Sequence, residues 1–136
     1  MTQVLGDNSS ALDWSILDTV KDIIGIDHEN LDFDRDLILA INAVLAVLHQ
    51  EGIADKYYTI SDNTKTWRQI LLKEETPEAI SIIQQWVGMK TKLLFDPPTS
   101  SVLSQALQDS IAELEWRSFI TNNYVGEIGE WYGDVE

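Results

Sequence analysis

The stretch DLILAINAVLAVLH, residues Asp36–His49, decides the fold. From Leu37 to Leu48 every residue except Asn42 is apolar. A helix of this composition needs cover on all sides, and one from about Asp34 to Glu51 would be about 27 Å long. A membrane-spanning helix needs about 20 apolar residues, which is more than this run offers. We therefore predict a central helix inside a bundle, with any uncovered side available to a partner.

Three further long helices and one short helix are predicted by apolar stripes, by capping residues and by glycine or proline stops. Gly25 ends the helix that precedes the central one, and Asp96-Pro97-Pro98 ends the helix that begins at Pro77. Their predicted ranges are Ser10 or Ser15 to Ile24, Trp67 to Leu72, Pro77 to Phe95, and from a cap at Thr99, Ser100 or Ser101 to about Thr121. The predicted fold is all-α, a small bundle of four main helices plus a short helix around Trp67.

The apolar stripes also predict which faces turn inward. On the Pro77 to Phe95 helix the predicted core face is Ala79, Ile82, Ile83, Trp86, Met89 and Leu93. Its predicted opposite face is Ser81, Gln85, Gly88 and Lys92. On the last helix the predicted core face is Leu103, Ala106, Leu107, Ser110, Ile111 and Leu114.

The domain organisation follows from these ranges. Residues 1–9 are predicted to be a flexible N-terminal arm, and residues 10–121 a helical domain. Residues 122–136, NNYVGEIGEWYGDVE, contain three glycines and no basic residue. This composition predicts an extended acidic and aromatic C-terminal tail.

The charge balance limits the class of partner. The 136 residues include 23 acidic and 9 basic ones, which gives a formal charge of −14. A chain this acidic repels phosphate at long range and favours basic or neutral protein partners. The absence of cysteine from the sequence excludes disulfides and thiolate metal sites. The sequence MTQVLGDNSS lacks the basic and apolar regions of a secretory signal, and with no cysteine in the chain we expect a cytosolic environment for assembly.

A catalytic or metal site has little support. His28 and His49 are the only histidines, and no residue spacing marks a catalytic triad or a zinc-binding helix. His49 has a sufficient role near a helix end. We therefore predict no catalytic residue, no cofactor and no metal.

The acidic residues before the central helix match a calcium-binding loop only in part. Asp32, Asp34 and Asp36 copy the first three ligand positions of an EF-hand. Leu37 then occupies the glycine position and Ala43 the bidentate glutamate position. Electrostatics at a helix start explains these aspartates better.

Nucleic-acid binding is also disfavoured. Lys73, Lys90 and Lys92 are the nearest approach to a basic cluster, and Trp86 close by could stack a base. We prefer the interpretation in which Trp86 belongs to the core and the lysines face solvent.

Large aromatic residues beyond the predicted core are candidates for a protein interface, because aromatic anchors are enriched there. They lie on the far side of the last helix and in the tail. The candidates are Trp116, Ile120, Tyr124, Trp131 and Tyr132. Two alternatives stay open: the tail folds over Trp116 in the same molecule, or it contacts a neighbour.

Two motifs carry a resemblance to a known family. LLFDPPTSSV at Leu93–Val102 and LEWR at Leu114–Arg117 resemble the head-tail connector, or head-completion adaptor, family of long-tailed bacteriophages. The IIGI sequence at Ile23–Ile26, the central helix and the Ile60 to Trp67 segment agree with it. The resemblance covers about Ile16 to Arg117.

This resemblance implies a structural, all-helical protein without enzymatic activity, located in the neck of the virion. Members assemble as a ring, commonly of twelve subunits, beneath the portal protein. They join it to the next neck or tail-completion protein, and the genome passes through the channel without specific binding. No membrane is involved. The alternative from composition alone is a small acidic regulatory or inhibitor protein that binds a single protein partner.

Overall fold

The computed structural model describes residues 8–52, 54, 56–70 and 77–115. Within these ranges the fold is helical, as predicted, and one antiparallel bridge between Ser15 and Thr66 is the only β-pairing there. The elements are a 3-10 helix at Asn8–Asp13, then α1 Ile16–Ile24, α2 Asp34–Gln50, α3 Trp67–Ile70, α4 Pro77–Phe95 and α5 Ser101–Glu115. The 3-10 helix thus begins within the segment 1–9 that we interpreted as an arm.

Helix α1 begins and ends at the residues that its sequence indicates. The Ser15 hydroxyl accepts a hydrogen bond from the backbone N–H of Asp18 at 3.2 Å, which satisfies a donor of the first turn. Gly25 adopts a φ of 99° and donates its N–H to the carbonyl of Lys21. This left-handed conformation is the usual glycine stop of a helix.

Helix α2 is central, but the described residues do not cover it completely. Its buried residues are Leu37, Ile41, Val44, Leu45 and Leu48. On another side Leu39 is 62% exposed and Ala43 is also exposed. Among the described residues no other helix packs along this line, so it is an uncovered side of the kind that the sequence analysis left available to a partner. No helix among the described residues is long and apolar enough to cross a membrane.

The one polar residue inside the apolar run of α2 has a specific partner. Asn42 donates its side-chain amide to the carbonyl of Ile60 at 3.0 Å and accepts the N–H of Ile60 at 2.8 Å. Nearby, the Nδ1 atom of His49 lies 3.0 Å from the carbonyl oxygen of Ala54. These contacts hold the non-helical segment after α2 against the helix.

Helix α4 lies between α1, α2 and α5 and is buried more widely than its predicted stripe. Ile83 and Trp86 are fully buried as predicted, but so are Val87 and Thr91. Gly88, which we assigned to the opposite face, is also buried. A Cβ atom at this position would lie 2.6 Å from Cδ1 of Ile23, so the glycine permits the close approach of α1.

Helix α5 is the least buried long helix of the described chain. Ile111 is its only buried residue, with Leu107 and Leu114 half-buried. The predicted core positions Leu103, Ala106 and Ser110 are exposed, so that part of the prediction is wrong. The reason is that α5 packs mainly on α4, and a narrow stripe suffices to contact one helix.

Two buried polar networks fix the connections around α1. Lys21, 1% exposed, places its Nζ 2.6 Å from Asp34 and donates to the carbonyls of His28 and Asn30. At the other end of α1 the buried Trp67 indole donates to the hydroxyl of Thr19 at 3.1 Å. The first network holds the α1–α2 connection in one conformation, and the second holds α3.

Candidate interaction surface

The first motif of the resemblance builds the turn between α4 and α5. Asp96 donates its N–H to the carbonyl of Lys92 at 2.7 Å and closes α4, and the two following prolines prevent its continuation. Ser100 then caps α5, since the N–H of Leu103 points to its hydroxyl at 3.4 Å. Phe95 packs edge-on against Phe33, with ring centroids 5.8 Å apart. The turn is thereby attached to the α1–α2 connection.

The second motif attaches the other end of α5 to α4. The carboxylate of Glu115 accepts a hydrogen bond from the indole N–H of Trp86 at 3.1 Å. Lys90 lies 3.9 Å from the same carboxylate and 5.9 Å from the centre of the Trp86 ring. Trp86 is fully buried, which confirms its place in the core. Both motifs therefore hold one antiparallel helix pair together.

The candidate interface residues predicted from the sequence all follow Glu115, the last residue of α5. Trp116, Ile120, Tyr124, Trp131 and Tyr132 lie outside the described residues. Their role in an interface stays a prediction, as does the choice between contacts within one molecule and contacts between molecules.

The structure adds a surface that the sequence did not reveal. Residues 25–33 and 94–103 meet where α1 and α4 end and where α2 and α5 begin, and we call this region the loop end. Five large apolar side chains are exposed there, from 42% for Phe33 to 75% for Val102. They are Leu31, Phe33, Leu94, Val102 and Leu103. The sequence carried one signal for this surface: Val102 and Leu103 are two apolar residues in the first turn of α5, and three residues separate them from the proline pair.

An open groove of about 490 Å³ runs beside this surface, between the end of α4 and the start of α5. Its lining residues are Lys92, Asp96, Pro97, Pro98, Thr99, Leu103 and Leu107. The groove lies next to the proline turn, where α4 and α5 are still apart, and it ends where their apolar faces come into contact. It can receive an apolar side chain of a partner.

Acidic residues surround the loop end. The exposed ones are Asp27, Glu29, Asp32, Asp36 and Asp96. Of the basic side chains in the same region, Lys21 is buried against Asp34, and Lys92 lies 3.9 Å from Asp96. The two segments of the loop end contain no lysine or arginine, and the exposed Arg35 comes two residues after Phe33. The rim is therefore net negative around an apolar centre.

Elsewhere in the described chain, basic residues also form ion pairs with acidic ones. Arg68 donates to Asp13 from Nε at 2.8 Å and from Nη2 at 3.4 Å. This hydrogen bond, assisted by the guanidinium charge, lowers the pKa of Asp13 and raises that of Arg68. Hydrogen bonds from Thr64 likewise lower the pKa of Asp62.

The described residues hold no group of three or more histidine, cysteine or acidic side chains that could bind a metal ion. His28 pairs with Asp22 at 2.6 Å on the surface. Asp34, one of the three aspartates at EF-hand ligand positions, forms an ion pair with Lys21.

Comparison with known proteins identifies the family. The family model described as phage connector protein matches residues 16–125, which include both motifs and all five α-helices. Searches of curated proteins and of solved structures gave no match. The match extends over most of the chain and includes the α4–α5 pair built by the two motifs. The chain therefore belongs to the phage connector protein family.

Proposed function

We propose that the protein is a structural head-tail connector of a tailed bacteriophage. In this proposal it forms a ring beneath the portal protein, with twelve copies as in many rings of the family that the sequence resembles. The ring joins the portal to the next neck or tail-completion protein in the virion, after assembly in the host cytoplasm. The observation that carries the proposal is the family match over residues 16–125.

One exposed apolar surface of the described chain supports ring formation. A ring of identical copies needs two different, complementary patches on each copy. One candidate patch is the uncovered side of α2 around Leu39 and Ala43. We propose that the predicted interface residues from Trp116 to Tyr132 supply the other. We propose that the tail docks on the portal or on a neighbouring copy.

The charge of the chain is compatible with a channel for DNA. A lining that bound phosphate tightly would oppose passage of the genome, whereas a chain of net charge −14 does not attract it. The proposed role is mechanical, and it requires no catalytic residue, cofactor or metal.

The test uses DNA-filled heads that carry the portal but lack this protein. Purified protein is added, and the neck is imaged by electron microscopy. We expect a ring of added density at the portal vertex. If the vertex stays unchanged, or if light scattering shows a single regulatory partner bound one to one, the connector proposal is wrong.

A truncation tests the tail separately. Deletion of residues 122–136 should leave the helical circular dichroism spectrum unchanged and should weaken addition to the portal vertex. Unfolding or aggregation of the truncated chain would instead mean that the tail covers its own core.

A further inference from the structure

We propose that the loop end, residues 25–33 and 94–103, is the docking surface for a basic, apolar segment of a different neck protein. This inference rests on the proposed connector function, and it names the chemistry of one partner. Two properties of the surface carry it: a cluster of exposed apolar side chains and an acidic rim.

The apolar cluster is larger than isolated surface residues would produce. Of the eight large apolar side chains that are exposed in the described chain, five lie at the loop end. Leu103 also lines the open groove, so the surface has both protruding and concave parts. Large apolar side chains that stay exposed together at one end of a fold indicate an interaction site.

The part of the surface formed by the α1–α2 connection is already held in the shape that a partner would meet. Lys21 bonds to the carbonyls of His28 and Asn30 and to Asp34, so the α1–α2 connection is fixed from inside. The contact of Phe33 with Phe95 joins this connection to the end of α4. A partner would therefore dock without a large cost for ordering the loop.

The rim determines the charge of the partner. Exposed carboxylates lie in the same two segments as the exposed apolar side chains, and neither segment contains a lysine or an arginine. Basic side chains on a partner would pair with these carboxylates and would direct its approach. DNA has the wrong sign for this surface.

A second copy of this chain is a poor occupant because it offers few available cations. Lys21, Arg68, Lys90 and Lys92 are each paired with an acidic residue of the same chain. Three described basic residues form no ion pair with another described residue: Arg35, Lys56 and Lys65. A chain with an excess of basic residues complements the rim better, and this favours a different protein.

The experiment measures binding of a fluorescent amphipathic peptide of leucine and lysine to the full-length protein by anisotropy. A peptide with glutamate in place of lysine is the charge control. We expect saturable binding of the lysine peptide that weakens as salt is added, and no binding of the glutamate peptide. No saturable binding of the lysine peptide would overturn the proposal.

Variants locate the binding surface. The double variant Leu94→Ser and Leu103→Ser should lower the affinity by at least about tenfold, because it removes apolar contact. Leu39→Ser is the matched control, since Leu39 and Leu103 are each 62% exposed and Leu39 lies on α2. Asp27→Lys with Asp32→Lys should also weaken binding. Equal loss with Leu39→Ser would overturn the proposal.

Two further readouts keep the result decisive. If circular dichroism shows that the double variant is unfolded, Val102→Ser replaces it, because Val102 is the most exposed of the five side chains. Sedimentation of the protein alone tests the rival occupant: loss of self-association in the loop-end variants would assign the surface to a second copy and overturn the proposal.

The portal-bearing heads separate this inference from the connector function. Addition of a ring to the heads without peptide binding at the loop end would refute the docking surface and leave the connector function intact. Failure of the ring to add would refute the connector function, whatever the peptide does.

Discussion

Asn42 and Ile60 exchange two hydrogen bonds across 18 residues of sequence, one from each partner. The amide side chain bonds to both the N–H and the carbonyl of the buried Ile60, as the backbone of a neighbouring strand would. This explains why a polar residue stands inside an otherwise apolar run. It also fixes where the non-helical segment runs along α2.

Asn42→Ala should destabilise the fold by about 1–3 kcal/mol, because the backbone N–H and carbonyl of Ile60 lose their partners. Urea denaturation followed by circular dichroism measures the free energy of unfolding. Asn63→Ala is the control, since Asn63 is exposed and its replacement should change stability by less than about 0.5 kcal/mol. Equal stability of the two variants would show that the Asn42 contact contributes nothing.

Gly88→Ala should destabilise the fold, although glycine to alanine inside a helix ordinarily gains about 1 kcal/mol. The added Cβ would lie 2.6 to 2.9 Å from three side-chain atoms of Ile23, and overpacking of this kind costs about 1–3 kcal/mol. In the background Ile23→Ala the penalty should shrink, and a double-mutant cycle measures the coupling. A rise in melting temperature for Gly88→Ala alone would contradict the close packing of α1 on α4.

The same substitution should have opposite effects at two buried threonines. The hydroxyl of Thr91 is buried without a hydrogen-bond partner among the described residues, so Thr91→Val should stabilise the fold by about 1 kcal/mol. The hydroxyl of Thr19 accepts from Trp67 and donates to the carbonyl of Ser15, so Thr19→Val should destabilise it by about 1–3 kcal/mol. Melting temperatures measured side by side decide the signs.

Glu115→Ala should lower stability by about 1–2 kcal/mol, because the buried indole N–H of Trp86 loses its acceptor. Glu115→Gln keeps an acceptor oxygen at that position and removes only the charge facing Lys90, so its loss should be smaller. Thermal melting followed by tryptophan fluorescence reports both effects. Equal losses would mean that the charge, and not the hydrogen bond, matters.

The Asp13–Arg68 pair gives a pH dependence of defined sign. Because the hydrogen bond from Arg68 lowers the pKa of Asp13 in the folded protein, its contribution to stability is fully present above the ordinary aspartate pKa. That contribution is lost as the pH falls below about 4 and through the folded pKa. The stability difference between wild type and Asp13→Asn should therefore shrink in acid. In an Arg68→Gln background Asp13→Asn should show no such change.

The sequence predicted the helices well, for a local reason. Helix starts and stops are set by residues that act on the adjacent backbone, here Ser15, Gly25 and the proline pair at 97 and 98. Their effects can be predicted without knowing which helices pack nearby. The ranges of α2 and α4 follow from the same kind of signal.

The burial of individual faces was less accessible, because it depends on which helices meet. Gly88 looked like part of a polar face, yet it is buried because Ile23 from a distant helix contacts it. Leu103 looked like a core residue, yet it is exposed because α4 is the described helix on which α5 mainly packs. Asn42 and Lys21 bind backbone groups many residues away, and no periodic pattern encodes such partners.

The attachment of α5 has a consequence for the order in which the structure opens. Ile111 and the contact of Glu115 with Trp86 are its main anchors, and both lie in the second half of the helix. Local unfolding requires less free energy where few side chains are buried. The first turns of α5 should therefore exchange their amide hydrogens well before those of α2. A connector built this way can adjust one helix to its neighbours while its core stays folded.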